Sequence, residues 1–329
     1  MRSILQIAES VMNPIPLIFN EHLISMTVLG GKESVPGIKM NISAIIINKG
    51  WSSYRTKMIE NLMRCGFAEI ISIEADSENY SIEDFSRKFP FVKIIIPQEN
   101  TTEGELINIG VGESTSEYVL VIRDSIDFSK DILTPTLASK ITETGTFCIT
   151  PRLLGKDNFS FPVLFSPSIR RAALNVISTS VVSDGSPNLF PFDFIGLYNR
   201  KKFIDLGGFD YTILSDYWQN LDFAFRSWLW GEKITFSTAF SLSYSTEVPV
   251  LETGASQFSN RFYLKNLVPR FYQDHGAIPS SSFFAFWGSS SCGFFEARSR
   301  FREAREWVRE NKFRFKRDAL DLVENWGNK

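Results

Sequence analysis

Three short stretches carry residues whose types and spacing suit chemistry. In DYWQNLDFAFR (Asp216–Arg226), Asp216 and Asp222 bracket a pair of amides, Gln219 and Asn220. A carboxylate in a cleft can serve as a general base, whereas an amide keeps nearly its shape but takes up no proton near pH 7. Three readings of the stretch stand open: the remnant of a catalytic site, a working site whose base lies elsewhere, or plain helix surface. In EYVLVIRDSID, Asp124 and Asp127 offer two carboxylates of the kind that hold Mg or Mn. Arg123 beside them matches phosphate oxygens in a bidentate fork, or forms a salt bridge with a neighbouring acid. In EIISIEADS, Glu74 and Asp76 close an apolar run.

The elements that must position these residues are legible in the apolar pattern. ISAIIIN (Ile42–Asn48), EIISIE, VKIII (Val92–Ile96) and YVLVIR are short, nearly continuous apolar runs, as expected of strands buried on both faces. Between them, SSYRTKMIENLMRCGF, SIEDFSRKF and TEGELINIGVGES have helical character. Strand and helix alternating at this spacing predict an α/β fold with a mostly parallel, doubly wound sheet. Ligands of such sheets bind beyond the carboxyl ends of the strands. Those ends carry Lys49, Glu74, Asp76, Arg123 and Asp124. Further on, a helix is expected near Ile169–Ser178. FIGLYNRKKFIDLGGFD reads as strand, short helix and glycine turn, and EARSRFREAREWVREN as an arginine-rich terminal helix.

Composition narrows the class. The 329 residues, 43% hydrophobic and 22% charged, suit a globular protein with one large α/β domain and extensions. A net charge of −2 gives no reason to expect a nucleic-acid partner. Cys65, Cys148 and Cys292 are an odd, scattered set, which fits a reducing compartment rather than a disulfide framework. The opening MRSILQIAESVMNPIPLIF, broken by Glu9, Asn13 and two prolines, makes a poor signal peptide. No run approaches a membrane span. A cytoplasmic protein is expected, with a membrane-surface location left open.

The order of these segments resembles the GT-A-fold nucleotide-sugar glycosyltransferases, the large inverting family two, over about residues 41–266. ISAIIINKG stands at the first strand and nucleotide turn, and EIISIEADS at the strand ending in acids. NTTEGELINIG is similar to that family's Asn/Gly-punctuated helix start, and EYVLVIRDSID to the strand that ends in Asp-x-Asp. FIDLGGFD with DYWQNLDFAFRSWLWGEKI resembles its Gly-Gly-Phe-Asp turn and Trp-Glu-Asp-x-Asp helix. The resemblance implies a GT-A-like domain over 41–255, flanked by an N-terminal extension and linker (1–40) and a helical C-terminal appendage (256–329). It implies transfer of a sugar from a UDP- or GDP-type nucleotide-sugar to a saccharide or lipid-linked acceptor. A catalytically silent saccharide-binding or partner subunit is the second expectation.

By the same resemblance Glu74 and Asp76 face the base, Lys49 lies near the nucleotide, and Asp124 meets ribose or, with Asp127, a Mn or Mg ion. Asp216 or Asp222 is the acid on the acceptor side, and Trp218 faces the acceptor. Asp216 is equally suited to cap its helix, and Asp222 to pair with Arg226 four residues on. The departures are specific. Arg123 and Ser125 stand at the two metal-acid positions, Gln219 and Asn220 at Glu-Asp, and Ser243–Tyr244 near a late His. Finally, Glu296–Arg317 carries nine Arg and Lys against four Glu, with Phe301, Trp307, Val308, Phe313 and Phe315 interleaved. That pattern suits either a helix resting on an anionic membrane or one docked on the domain.

Overall fold

The computed structural model describes residues 22–48, 55–75, 82–128, 132–170, 173–254 and 257–327. Expectations for residues 1–21, for Lys49 and for Asp76 fall outside them. One mixed sheet of nine strands organises the chain, in the order β1-β4-β3-β2-β5-β10-β7-β11-β6. The four apolar runs become β2 (Ile42–Asn48), β3 (Glu69–Glu74), β4 (Val92–Pro97) and β5 (Tyr118–Arg123), parallel neighbours at its centre. Every residue of β2 and β5 is buried, which is why these runs lack alternation. The N-terminal segment adds β1 (Met26–Gly30), antiparallel to β4 at the sheet edge.

Helices α1 (Arg55–Cys65), α2 (Ile82–Lys88) and α3 (Glu103–Glu113) make the crossovers between these strands. A capping box starts α3: Thr102 accepts from the Glu105 amide and Glu105 accepts from the Thr102 amide at 2.7 Å. Helix α3 lies hard against the sheet because of Gly110, where a Cβ would stand 2.8 Å from the Ile45 side chain.

Beyond β5 come β6 (Ile126–Asp127), α4 (Pro135–Thr142) and β7 (Cys148–Leu154). The helix expected near Ile169–Ser178 is instead a hairpin of β8 (Leu164–Arg170) and β9 (Ala173–Thr179). On β9, half-buried Leu174 and Val176 alternate with exposed neighbours, a period of two that the helix-forming Ala-Ala-Leu masks. The chain continues through β10 (Gly196–Asn199), α5 (Arg200–Asp205), α6 (Asp216–Leu229) and β11 (Ile234–Tyr244).

The C-terminal part packs behind α6. It comprises α7 (Gln257–Phe262) with a π-turn to Leu267, the short pair β12 (Arg270–Tyr272) and β13 (His275–Ala277), and helices α8 (Ser282–Ser289), α9 (Phe294–Glu310) and α10 (Ala319–Glu324). Trp230 stacks on Trp307 and Trp228 meets Trp326, while the Lys316 amide donates to the Leu229 carbonyl at 2.8 Å. Of the apolar residues interleaved with the terminal arginines, Phe301, Val308 and Phe315 are buried and only Phe313 is well exposed. The apolar face of that helix is spent on the protein, so those residues are not a membrane-facing stripe.

Candidate functional site

Parallel pairing sets the strand ends in register. Ile47 lies opposite Arg123 on one side of β2, and Asn48 opposite Glu74 on the other. Glu74 and Arg123 therefore share the carboxyl edge of the sheet, as the alternation required. Their surroundings differ from expectation. Glu74 is buried, accepts from Asn48 Nδ2 (3.2 Å) and Ser72 Oγ (2.8 Å), and pairs with Arg55. Its carboxylate is held inside the edge rather than presented to a base.

Arg123 is buried too, and its guanidinium is committed. It pairs with Glu103 at the start of α3, and its Nε and Nη2 donate to Asp193 Oδ1 at 3.1 and 2.9 Å. Asp193 Oδ2 accepts from the Tyr244 phenol at 3.1 Å. Burial and the adjacent Asp193 push the Tyr244 pKa well above its ordinary value, so it stays a neutral donor. The salt-bridge reading of Arg123 thus holds, but with buried partners rather than at the surface. Asp193 and Phe194 both adopt left-handed backbone, φ +52° and +60°. Such consecutive non-glycine residues are costly and collect at functional sites. Here they turn the Asp193 carboxylate onto Arg123.

Beside this network opens a cleft of about 850 Å3. Its walls come from the end of β5 (Arg123–Ser125), the Phe190–Phe194 segment, the first turn of α6, the loop after β11 and Phe258 of α7. Among the described residues five acids line it, Asp124, Asp193, Asp216, Glu247 and Glu252, against one cation, Arg123. Phe190, Phe194, Tyr217 and Phe258 supply aromatic surface. Burial pushes the Tyr217 pKa up to about 12, which keeps that phenol neutral as well. A smaller hollow of about 440 Å3 lies at the amino end of β5, away from the ligand edge.

Helix α6 delivers its residues to different places. Ser215 holds the N-cap position, so Asp216 is the first helical residue, not the cap; it is exposed and lines the cleft. Asn220, one turn on, also lines the cleft, and its Nδ2 donates to the Pro191 carbonyl at 2.7 Å. Its Oδ1 is buried and has no hydrogen-bond partner among the described residues.

Gln219 is fully buried and points elsewhere. It accepts from the Gly104 amide at 2.9 Å and donates to Thr102 Oγ1 (2.8 Å) and the Asp210 carbonyl (3.0 Å), which clamps α6 to α3. Gly104 is required there, since a Cβ would meet Phe209 at 2.5 Å and Gln219 at 2.6 Å. Asp222 likewise serves the interior. It binds Lys265 (3.0 Å), Asn266 (2.7 Å) and, as the four-residue spacing suggested, Arg226 (3.6 Å). Lys265 and Arg261 also hold Asp210, at 2.7 and 2.8 Å. Burial alone raises the Asp210 pKa, but the two cations and hydrogen bonds from Lys265 and Thr212 bring it far below the usual carboxylate range. Gln219 and Asp222 therefore do not join the cleft. Nor does Trp218, which donates to the Gly254 carbonyl at 3.0 Å and packs on Phe262, bracing the loop that roofs it.

A divalent ion finds no ready ligand set. Among the described residues no group of three or more His, Cys, Asp or Glu converges on a point. Asp124 lines the cleft while Asp127 is exposed outside it. His22 pairs with Glu105 and His275 with Asp274, both away from the cleft. The described residues do not fit a resident metal. Sequence reading missed Glu103, Glu247 and Glu252. Glu247 and Glu252 follow β11, which runs parallel to β7, so their place beyond a strand's carboxyl end was the available signal.

No protein-family model and no curated protein sequence matches the chain. Solved structures do. The crystal structure of GalNAc-T7 with UDP, GalNAc and Mn2+ is 12% identical at a TM-score of 0.52, over 87% of this chain. The chain spans 58% of that structure's length. Staphylococcus aureus TarS (residues 1–349) is 13% identical at a TM-score of 0.47, over 80% of this chain and 70% of that one. The mannosyltransferase PcManGT from Pyrobaculum calidifontis, in complex with GDP-Man and Mn2+, is 9% identical at 0.43, over 88% and 76%. At such identities the likeness is one of fold, and the chain has the GT-A fold of the glycosyltransferases.

Proposed function

We propose that the chain is a glycosyltransferase that moves a sugar from a nucleotide-sugar donor, UDP- or GDP-type, to a saccharide or lipid-linked acceptor, with inversion. The observation that carries this reading is the composition of the cleft. Carboxylates and aromatic faces at the carboxyl edge of a GT-A sheet suit a polyhydroxy ligand, whose hydroxyls donate to acids while its apolar faces stack on rings. A cleft with five acids and one committed arginine repels a bare diphosphate. The nucleotide is therefore assigned to the neighbouring ends of β2 and β3, with Lys49 and Asp76 beyond them, and the sugars to the cleft. Residues 41–255 form the transferase unit in this proposal, with 1–40 and 256–329 as additions.

Within the cleft, Asp216 is the candidate base. The acceptor hydroxyl gives its proton to the Asp216 carboxylate as its oxygen attacks the anomeric carbon, and the bond to the nucleoside diphosphate breaks. Asn220, one helical turn away on the cleft wall, is assigned to the acceptor side. Arg123 holds Asp193 and Glu103 in place at the position where an acid would bind metal, so donor binding depends weakly on divalent ions. GalNAc-T7 was crystallised with manganese; in this chain the guanidinium of Arg123, paired with Glu103 and Asp193, occupies that position. Donor hydrolysis and transfer, assayed over a panel of UDP- and GDP-sugars with and without manganese, test the assignment.

A second reading, a silent saccharide-binding or partner subunit, is favoured by the amides at Gln219 and Asn220 and by the internal use of Asp222. It predicts that a saccharide or nucleotide raises the melting temperature while no donor is turned over.

A further inference from the structure

From Gly276 to Phe295 the chain has no Asp, Glu, Lys or Arg, yet it holds six aromatic residues. Only Phe286 of these is buried. At the corner between α8 and α9, Phe284 is 68%, Trp287 40%, Phe294 40% and Phe295 84% exposed. They form one patch, with ring centroids of Trp287 and Phe294 at 5.2 Å, Phe294 and Phe295 at 5.6 Å, and Phe283 bridging Phe284 and Phe294 at 5.4 and 5.7 Å. Contiguous exposed aromatics mark a contact surface, whereas scattered ones do not.

The basic residues beside the patch are ordered. At 3.6 residues per turn, Phe295, Arg298, Arg302 and Arg305 fall on one stripe of α9. The three arginines are exposed and make no ion pair among the described residues. The helix's glutamates lie on the adjoining arc, where Glu296 pairs with Arg300 and Glu306 with Arg309. An aromatic knuckle continued by a row of free guanidinium groups is complementary to an anionic lipid surface. The rings enter the headgroup boundary while the arginines meet phosphates.

We infer that the α8–α9 corner docks this protein on anionic membranes. The arginines belong to the terminal stretch singled out in the sequence, but the aromatic residues are different ones, since Phe301, Val308 and Phe315 of that stretch face the core. The placement has a functional sense that rests on the proposed transferase reading. Phe258 of α7 lines the cleft, and Asn260 of the same helix touches Cys292 at the corner, Nδ2 to Sγ 3.7 Å. A docked corner holds the cleft one helix away from the lipid, within reach of a lipid-linked acceptor. No described helix is long and apolar enough to cross the bilayer.

Vesicle co-sedimentation of the full chain tests this without any sugar donor, so its outcome is independent of whether transfer occurs. Binding is expected to vesicles of phosphatidylcholine with phosphatidylglycerol, weak binding to phosphatidylcholine alone, and a fall with added salt. Substituting Arg298, Arg302 and Arg305 together by Gln should lower partitioning on the order of a hundredfold, about fivefold for each charge. Phe284→Ser with Phe295→Ser should abolish binding with the melting temperature unchanged, since both rings are exposed. Equal binding by these variants and the parent overturns the inference, as does absence of binding to anionic vesicles. If the same substitutions instead break a concentration-dependent dimer in sedimentation equilibrium, the patch belongs to a second copy and the membrane assignment is wrong.

Discussion

Replacing Arg123 by Met removes the one cation of the cleft wall among the described residues and leaves two carboxylates, Glu103 and Asp193, where both were paired. Breaking a buried pair from one side costs about 3–5 kcal/mol, because the desolvated partner stays behind. In a protein of this size that lowers the melting temperature by about 4–7 °C. A second substitution, Glu103→Gln, should return part of the loss, since it removes one of the stranded charges. The variant should also gain something the parent lacks. With the guanidinium gone, Glu103, Asp193 and the nearby Asp124 offer carboxylates to a divalent ion. Manganese at a hundred times its dissociation constant adds about 2.7 kcal/mol to whatever folded state binds it. Differential scanning fluorimetry in EDTA and in manganese reads both effects. Melting of Arg123→Met within about 2 °C of the parent, or an equal manganese shift in parent and variant, refutes the view that Arg123 is a fixed cation balancing these acids.

Other substitutions separate structure from chemistry. Asp216→Asn should cut transfer by about 10²–10⁴ while leaving thermal stability intact, because this residue is exposed at the start of α6; full retained activity moves the base elsewhere. Gln219→Glu should destabilise by about 1–3 kcal/mol, by setting an acceptor against the Asp210 carbonyl, and should confer no turnover. Asp210→Asn should cost about 3 kcal/mol at neutral pH. Because the folded Asp210 pKa is depressed, its contribution is complete above the unfolded value of about 3.9 and is lost as pH falls below that. The gap between parent and variant in denaturant melts should accordingly hold from pH 7 to about pH 5 and narrow below about pH 4.

The sheet was legible because a strand buried on both faces must be apolar throughout. Ile42–Asn48 and Tyr118–Arg123 admit no other reading between helical segments. The helical segment TEGELINIGVGES is α3, which the structure starts with a capping box at Thr102 and Glu105. The hairpin at Leu164–Thr179 was not legible, since its half-buried face shows weak alternation and Arg-Ala-Ala-Leu favours a helix in isolation. The site divides similarly. Strand order placed Arg123 and Glu74 at one edge, but no local signal tells that Glu103, twenty residues away, neutralises Arg123. The same holds for α6, where neighbouring amides look alike in sequence. Helical rotation sends Asn220 to the cleft and Gln219 to the interior, a difference fixed only by what α3 and the Phe209–Asp210 turn present.

Calorimetric titration of UDP and GDP into the full chain, in EDTA and then in manganese, tests the proposed nucleotide site beside the cleft most directly. Binding of one nucleotide with dissociation constants within about threefold under the two conditions is the expected result, as befits a chain with Arg123 where the resemblance places a metal-binding acid. A gain of about a hundredfold on adding manganese, roughly 2.7 kcal/mol, or the absence of binding in both conditions, contradicts it.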